Sequence, residues 1–270
     1  MISIQTYTPK LLPNLVKSFW YMEVGHEHEI YEEEIIPDGH IEILFYLNSN
    51  SVRREHGSDE WIIQPAAFVA GQTLKSHQIK MFAGAALYGI RFYPHTLFPF
   101  FHLPLNYITE GILPLSDLTD PTGFWNCIAN TPEQTFENLE RYLFERLSVQ
   151  GLNNAGYQYV DRAMKHILAN NGAVSINNIR EPDKITVKYY GDLFKKYVGI
   201  TPKHLCNILK INQFISNKIN YPELNLTGCT YESGYYDQSH LIKSFHQLIE
   251  TSPRSYFENA RTISNIFAAL

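Results

Sequence analysis

Cysteine is scarce in this chain: Cys127, Cys206 and Cys229 stand singly among 270 residues. That spacing excludes a disulfide framework and a Cys-x-x-Cys metal site, leaving three small core or surface residues. No apolar run is long enough to span a bilayer, and the N-terminus lacks the basic-then-apolar order of an export signal. A cytoplasmic protein without a membrane partner is expected. A nucleophile elbow, a Walker loop and a dinucleotide-binding glycine pattern are also missing. The expectation is therefore a protein that is not an enzyme and uses no cofactor.

What is present suits a folded chain, with 44% hydrophobic and 18% charged residues. Its length fits two domains of ordinary size, each burying its own core. The net charge of −5 hides an asymmetry. Residues 1–155 hold 9 Lys/Arg against 18 Asp/Glu, whereas residues 156–270 hold 13 against 9. A basic half joined to an acidic half is expected when only one of them meets a polyanion.

The hydrophobic pattern changes along the chain. Segments 19–24, 33–36, 41–47, 61–64, 67–70, 77–82 and 85–92 alternate or run apolar at strand length, and Pro37-Asp38-Gly39 is a turn signal. Such closely spaced strands suggest a β-sandwich or small barrel. After Pro94 the segments 95–102, 115–118, 123–130 and 132–148 read as helices. In the last of these Glu137, Arg141 and Glu145 form a charged outer row, while Leu139, Leu143 and Leu147 lie on another face. Residues 149–154, rich in Gly and Asn, are the linker candidate.

The most telling stretch is Gly234-Tyr-Tyr-Asp-Gln-Ser-His-Leu-Ile-Lys-Ser-Phe245, followed by Ser252-Pro253. Gly234 can take the positive φ of a tight turn between helices, and Asp237 or Ser239 can cap the next helix. Leu241, Ile242 and Phe245 give that helix a buried stripe. Gln238, Ser239, His240 and Lys243 give it a polar face suited to base edges or phosphates. Upstream, Thr186-Val-Lys-Tyr-Tyr-Gly-Asp-Leu-Phe-Lys-Lys-Tyr-Val-Gly-Ile-Thr-Pro202 has the same plan. Phe194 matches Phe245, and Thr201-Pro202 matches Ser252-Pro253. The interval leaves room for one connecting helix over 204–220, with Leu205, Ile208, Leu209, Ile211, Ile215 and Ile219 largely inward.

These paired segments resemble the AraC family of transcription regulators, whose DNA-binding region carries two helix-turn-helix motifs in tandem; the resemblance covers about 157–261. It implies double-stranded DNA as the partner. The matching positions are Gln238, Ser239, His240 and Lys243 on the second recognition helix, and Lys188, Tyr189, Asp192, Lys195 and Lys196 on the first. The first motif departs from the family pattern. Asp192 stands where Arg is common, Gly191 replaces a long polar side chain, and Arg180 and Pro182 interrupt the helix that starts at Ile176. Gly228, Thr230 and Ser233 are milder departures in the second. The expected reader is asymmetric, with the second motif making most contacts.

The N-terminal half carries a resemblance of its own. Phe19-Trp-Tyr-Met-Glu, Ile36-Pro-Asp-Gly-His-Ile-Glu-Ile-Leu-Phe, Val69-Ala-Gly-Gln and Gly89-Ile-Arg-Phe-Tyr-Pro look like a sensor-type domain often joined to AraC-like binding regions. Together the resemblances imply an α+β chain. A β-rich cupin-like sensor or dimerisation domain with flanking helices would occupy 1–150, and an all-α tandem helix-turn-helix domain 156–262. They leave room for a small-molecule effector, RNA polymerase and a second copy of the chain as further partners.

Arg91 is the one charge in an apolar run. Either it pairs internally with a carboxylate such as Glu42, or it lines a cavity and meets an anionic ligand. The pair is favoured, because an unpaired buried charge is costly. Arg91, Glu42 and Tyr46 are the candidate ligand-binding residues. His26-Glu-His28 with Glu32 and Gly39 coincides with half of the metal motif of enzymatic cupins. Trp20 stands where that motif needs Gly and no second half follows, so no metal is expected. Two rival functions remain: a metal-dependent cupin enzyme, and a binding or interaction protein whose DNA contacts have decayed.

Overall fold

The structure is a computed structural model that describes residues 2–27 and 29–258. His28, Arg261 and the end of the expected C-terminal domain at 262 lie outside these residues. The strands are β1 (Ile2–Tyr7), β2 (Val16–Val24), β3 (Ile30–Ile35), β4 (Ile41–Tyr46), β5 (Val52–Glu55), β6 (Ile62–Ile63), β7 (Ala67–Ala70), β8 (His77–Phe82), β9 (Ala86–Phe92) and β10 (Ile112–Pro114). They form a six-stranded sheet in the order β1-β2-β9-β4-β7-β10 and a four-stranded sheet in the order β3-β8-β5-β6. Every pairing is antiparallel. The two sheets face one another across a cavity lined by residues of both.

Strand β9 explains how the sheet is built. It is buried along its whole length, because each of its faces has a cover. Tyr88, Ile90 and Phe92 join a core with Phe100, Phe124 and Phe136 of the helical layer. Leu87, Gly89 and Arg91 line the cavity or its floor. A strand covered on both faces loses its polar–apolar alternation. Trp20 on β2 lies against Gly89, where an added Cβ would sit 2.0 Å from the indole. Only glycine admits that approach.

Short helices follow: α1 (Phe98–Phe101), α2 (Leu115–Leu118) and α3 (Thr122–Trp125). Then α4 (Pro132–Arg146) packs Phe136, Leu139 and Leu143 on the six-stranded sheet, with Thr131 capping its start. Glu137, Arg141 and Glu145 are exposed, as their spacing predicts. Glu140, on the buried side, accepts the backbone N–H groups of Leu11 (2.7 Å) and Leu12 (3.0 Å). Residues 149–154, the linker candidate, are partly helical. Val149–Leu152 forms a helical turn, α5, capped by Ser148, and Gly151 packs against Pro99. Burial of one face of this Gly-containing segment overrides its loop-like composition.

The C-terminal region is all helical and repeats one plan: long helix, short helix, medium helix. The first round is α6 (Ala155–Ala169), α7 (Ile176–Arg180) and α8 (Val187–Val198); the second is α9 (Pro202–Asn220), α10 (Leu226–Glu232) and α11 (Gln238–Ile249), followed by α12 (Pro253–Glu258). Each of these helices except α7 and α12 starts on an Asn, Thr or Asp whose side chain accepts from the backbone N–H three residues on. Such caps are worth about 1 kcal/mol each. Helix α7 stops where Pro182 predicts, giving way to a tight turn over Glu181–Asp183. Phe194 and Phe245 are both fully buried in one helical core, which also takes in Ile36 and Phe98 from the N-terminal half. No helix among the described residues is long and apolar enough to cross a membrane.

Candidate effector cavity and nucleic-acid interface

The cavity between the two sheets measures about 120 Å³. Its middle is apolar, with Met22, Leu44, Phe68, Ile79, Met81 and Leu87 in the wall. Arg91, Glu42 and Tyr46 all line it, so the three residues singled out from the sequence come together. Arg91 both lines the cavity and has internal partners. Its Nη1 donates to Glu42 at 2.9 Å and its Nη2 pairs with Asp38, while His40 Nδ1 lies 3.2 Å from Nη2. The Trp20 indole N–H adds a bond of 3.1 Å to the same Glu42 oxygen. Arg91 is thus saturated by two carboxylates, the internal pair that the cost of a lone buried charge requires.

Electrostatics follow from this enclosure. Burial alone would raise the Asp38 carboxyl, but Arg91 and the contacts of His40 reverse that and hold it well below the ordinary carboxylate range. Glu42 is raised by burial against the opposing pull of Arg91. Burial, then the nearby Arg91 cation, lowers the His40 imidazole against the opposing pull of Asp38. Burial pushes the Tyr46 phenol up to about 12, so it stays a donor at neutral pH.

The opposite wall holds polar groups the sequence reading passed over. Arg53 is 8% exposed and lines the cavity from β5. Its Nε approaches Glu55 at 2.7 Å, an ion pair out of hydrogen-bond line. His77 on β8 is also buried, and its Nδ1 has no hydrogen-bond partner among the described residues. Burial, then the Arg53 charge, lowers the His77 imidazole to about 3. Gln64, hydrogen-bonded to Ser51, completes this side. Arg53 escaped notice because Val52-Arg-Arg-Glu shows no apolar stripe. A strand facing a polar cavity wall on one side and solvent on the other has none.

Among the described residues no group of three or more His, Cys, Asp or Glu is disposed to hold a metal ion. His28, half of the proposed His-x-His pair, lies outside those residues.

The helical region presents a different surface. On α8, Lys188, Tyr189, Asp192, Lys195 and Lys196 are all exposed, while Tyr190, Leu193, Phe194, Tyr197 and Val198 are buried. At 100° per residue Lys188, Asp192 and Lys195 form one outer row, with Tyr189 and Lys196 beside it. Lys196 leans toward the N-terminal half, its Nζ 5.7 Å from the Phe98 ring centroid. With Tyr189 and Asp192 it borders a groove against the start of α6.

On α11 the outer face consists of Ser239, His240, Lys243, His246 and Gln247, all exposed. The last two extend the face proposed from the sequence. Gln238 differs from the other three named residues. It is half-buried at the start of the helix, and its amide donates to Thr227 on α10 at 2.6 Å. Asp237, not Ser239, caps the helix, accepting from the His240 N–H at 2.7 Å. Gly234 has φ +75°, as the turn between α10 and α11 requires.

Several contacts tie this helical surface to the cavity. The loop between β3 and β4 carries Asp38 on its cavity side. On its other side Gly39, at φ +84°, meets Leu205 of α9, and an added Cβ would lie 3.0 Å from the Leu205 side chain. The Pro37 carbonyl accepts from Asn212 of α9 at 2.8 Å. Farther along, Ser76 N–H donates to the Leu248 carbonyl at 3.0 Å. Glu250 stands where the first unit has Gly199 and keeps a positive φ of 60°. Its carboxylate meets both Lys75 and His56 at 2.5 Å.

A family model described as a domain of unknown function (DUF6597) matches residues 5–114. No curated protein matches the chain. Among solved structures, wild-type ToxT from Vibrio cholerae strain SCE256 with an unsaturated fatty acid bound is similar at TM-score 0.44 and 11% identity, covering 94% of both chains. ToxT from Vibrio cholerae in a P21 crystal form is similar at TM-score 0.45 and 8% identity, covering 95% of this chain and 98% of that one. ToxT from Vibrio cholerae O395 bound to (E)-4-(8-methylnaphthalen-1-yl)but-3-enoic acid gives TM-score 0.45 at 11% identity, with the same coverage.

Proposed function

We propose that this chain is a sequence-specific, DNA-binding transcription regulator controlled by a small molecule held between its two β-sheets. One observation carries the reading. The same three-helix plan occurs twice in succession, and in each round the third helix is buried on one side and mainly polar on the other, with Val187 and Tyr189 the exposed exceptions on α8. A buried-helix role accounts for Phe194 and Phe245, but not for rows of exposed Lys, His, Ser and Gln. Helices so placed enter the major groove, and two of them on one rigid body read sites about one helical turn apart.

On this reading Ser239, His240 and Lys243, joined by His246 and Gln247, supply most contacts of the second unit. Gln238 reaches a base only after leaving Thr227. Lys188 and Lys195 meet phosphates from the first unit, with Tyr189 and Asp192 beside them, and Lys196 works at the seam with Phe98. The domains are taken as 1–150 for sensing and 156–262 for DNA binding, in a cytoplasmic protein. RNA polymerase and a second copy of the chain are further partners the reading accommodates.

Asp192 and Gly191 favour a second reading, in which the helical region no longer binds DNA and the chain only binds a small molecule. Selection of bound duplexes from random sequence at physiological salt separates the two. The regulator reading expects an enriched sequence, lost affinity in Lys243→Ala, and a salt slope reduced by about one. No enrichment, with and without metabolite extract, would establish the second.

A further inference from the structure

The effector reading leaves open what the cavity recognises, and its two polar ends are not equivalent. At the β4–β9 end, Arg91 is already matched by Asp38 and Glu42, with Trp20 also bound to Glu42. An incoming anion there would have to displace a carboxylate, and an incoming cation would have to compete with the guanidinium. That network is a closed structural cluster.

The β5–β8 end is open. Arg53 keeps only the off-line approach of its Nε to Glu55, a half-exposed surface carboxylate. Among the described residues its terminal nitrogens have no acceptor. Arg53 pairs across the sheet with Ile79, so His77, two residues away, is its diagonal neighbour on the same face. The His77 Nδ1 is buried and unpartnered among the described residues, and a buried polar atom without a partner calls for an explanation. Met81 and Ile79 continue the same strand into the apolar middle of the cavity.

We propose that Arg53 and His77 form the receptor for a small monocarboxylate with a compact apolar body. The guanidinium fork matches a carboxylate through two parallel N–H bonds. Glu55 is half-exposed to solvent and touches only Nε, so the two terminal nitrogens remain for one carboxylate. A phosphate would bring a second charge into a low-dielectric wall without a partner, which is strongly disfavoured. The cavity, at about 120 Å³, suits a body roughly the size of a benzene ring. This inference rests on the effector reading but not on DNA binding, so the duplex selection above and the binding test below fail independently.

The test is calorimetric titration of the full chain with benzoate, benzamide and benzylamine at neutral pH. Benzoate is expected to bind at least roughly tenfold more tightly than benzamide, and benzylamine not at all. Arg53→Gln should weaken benzoate binding roughly tenfold or more while leaving the weak benzamide response unchanged, and Arg53→Lys should restore part of the loss. The comparison among the three probes on the intact chain stands even if a variant does not fold. Equal binding of benzoate and benzamide, no benzoate heat up to about 10 mM, or full affinity in a folded Arg53→Gln chain would overturn the assignment.

Discussion

His77 links the cavity to stability through its proton. Its imidazole is held near 3 in the folded chain against an ordinary value of 6.5, by burial first and the Arg53 cation second. The unfolded chain therefore binds one more proton than the folded chain between those two values. Stability contributed by neutral His77 is complete above about pH 6.5 and is lost as the pH falls toward 3. The slope from this one group is at most about 1.4 kcal/mol per pH unit. Denaturant titrations of His77→Gln at a series of pH values should show a flatter fall below 6.5 than the parent. Parallel curves would mean that His77 is protonated in the folded state. At this scale the site was half legible. Arg91 declared itself as a lone charge in an apolar run, and its partner Glu42 followed from the cost of leaving it alone. Arg53 sits between a half-buried Val52 and a half-buried Arg54, with the exposed Glu55 next along, so nothing in its neighbourhood marked it as buried.

Elements were legible where one face is clearly covered. Strand β7 lies where its apolar run places it and β8 where its alternation does. Helix α9 covers the span expected for the connector, beginning two residues earlier on Pro202 with Thr201 as its cap. Strands β1 and β5 were not legible, because neither has a fully apolar face to betray it, and β10 is only three residues long and ends on Pro114. Helix α8 formed despite Gly191, since Tyr190, Leu193, Phe194 and Tyr197 bury a continuous stripe that outweighs one poor helix former. An added Cβ at Gly191 would meet nothing within 4 Å. Gly191→Ala should therefore stabilise the chain by about 1 kcal/mol, raising its melting temperature by ~2–4 °C. A drop in melting temperature would show that Gly191 serves a conformation other than this helix.

The ligand-sized cavity and the pair of polar helices meet at several contacts, among them the loop between β3 and β4. Asp38 holds Arg91 on the cavity side, while Pro37 and Gly39 rest on α9, the helix that leads into the second helix-turn-helix unit. Control requires that a ligand favour one arrangement of that loop over another; a ligand indifferent to it regulates nothing. On the regulator reading proposed above, the coupling is a free energy shared by both sites, so a carboxylate that changes DNA affinity by some factor must have its own affinity changed by the same factor when DNA is bound. For couplings of this kind the factor is typically about 5–150. Asn212→Ala removes the bond to Pro37 without touching the cavity wall or either outer helix face. In that variant benzoate and the selected duplex should each still bind, but the four affinities of the cycle should collapse toward independence. An unchanged factor would mean that the two halves communicate elsewhere, with the Lys75–Glu250 and Ser76–Leu248 contacts at the far end of α11 as the next place to cut.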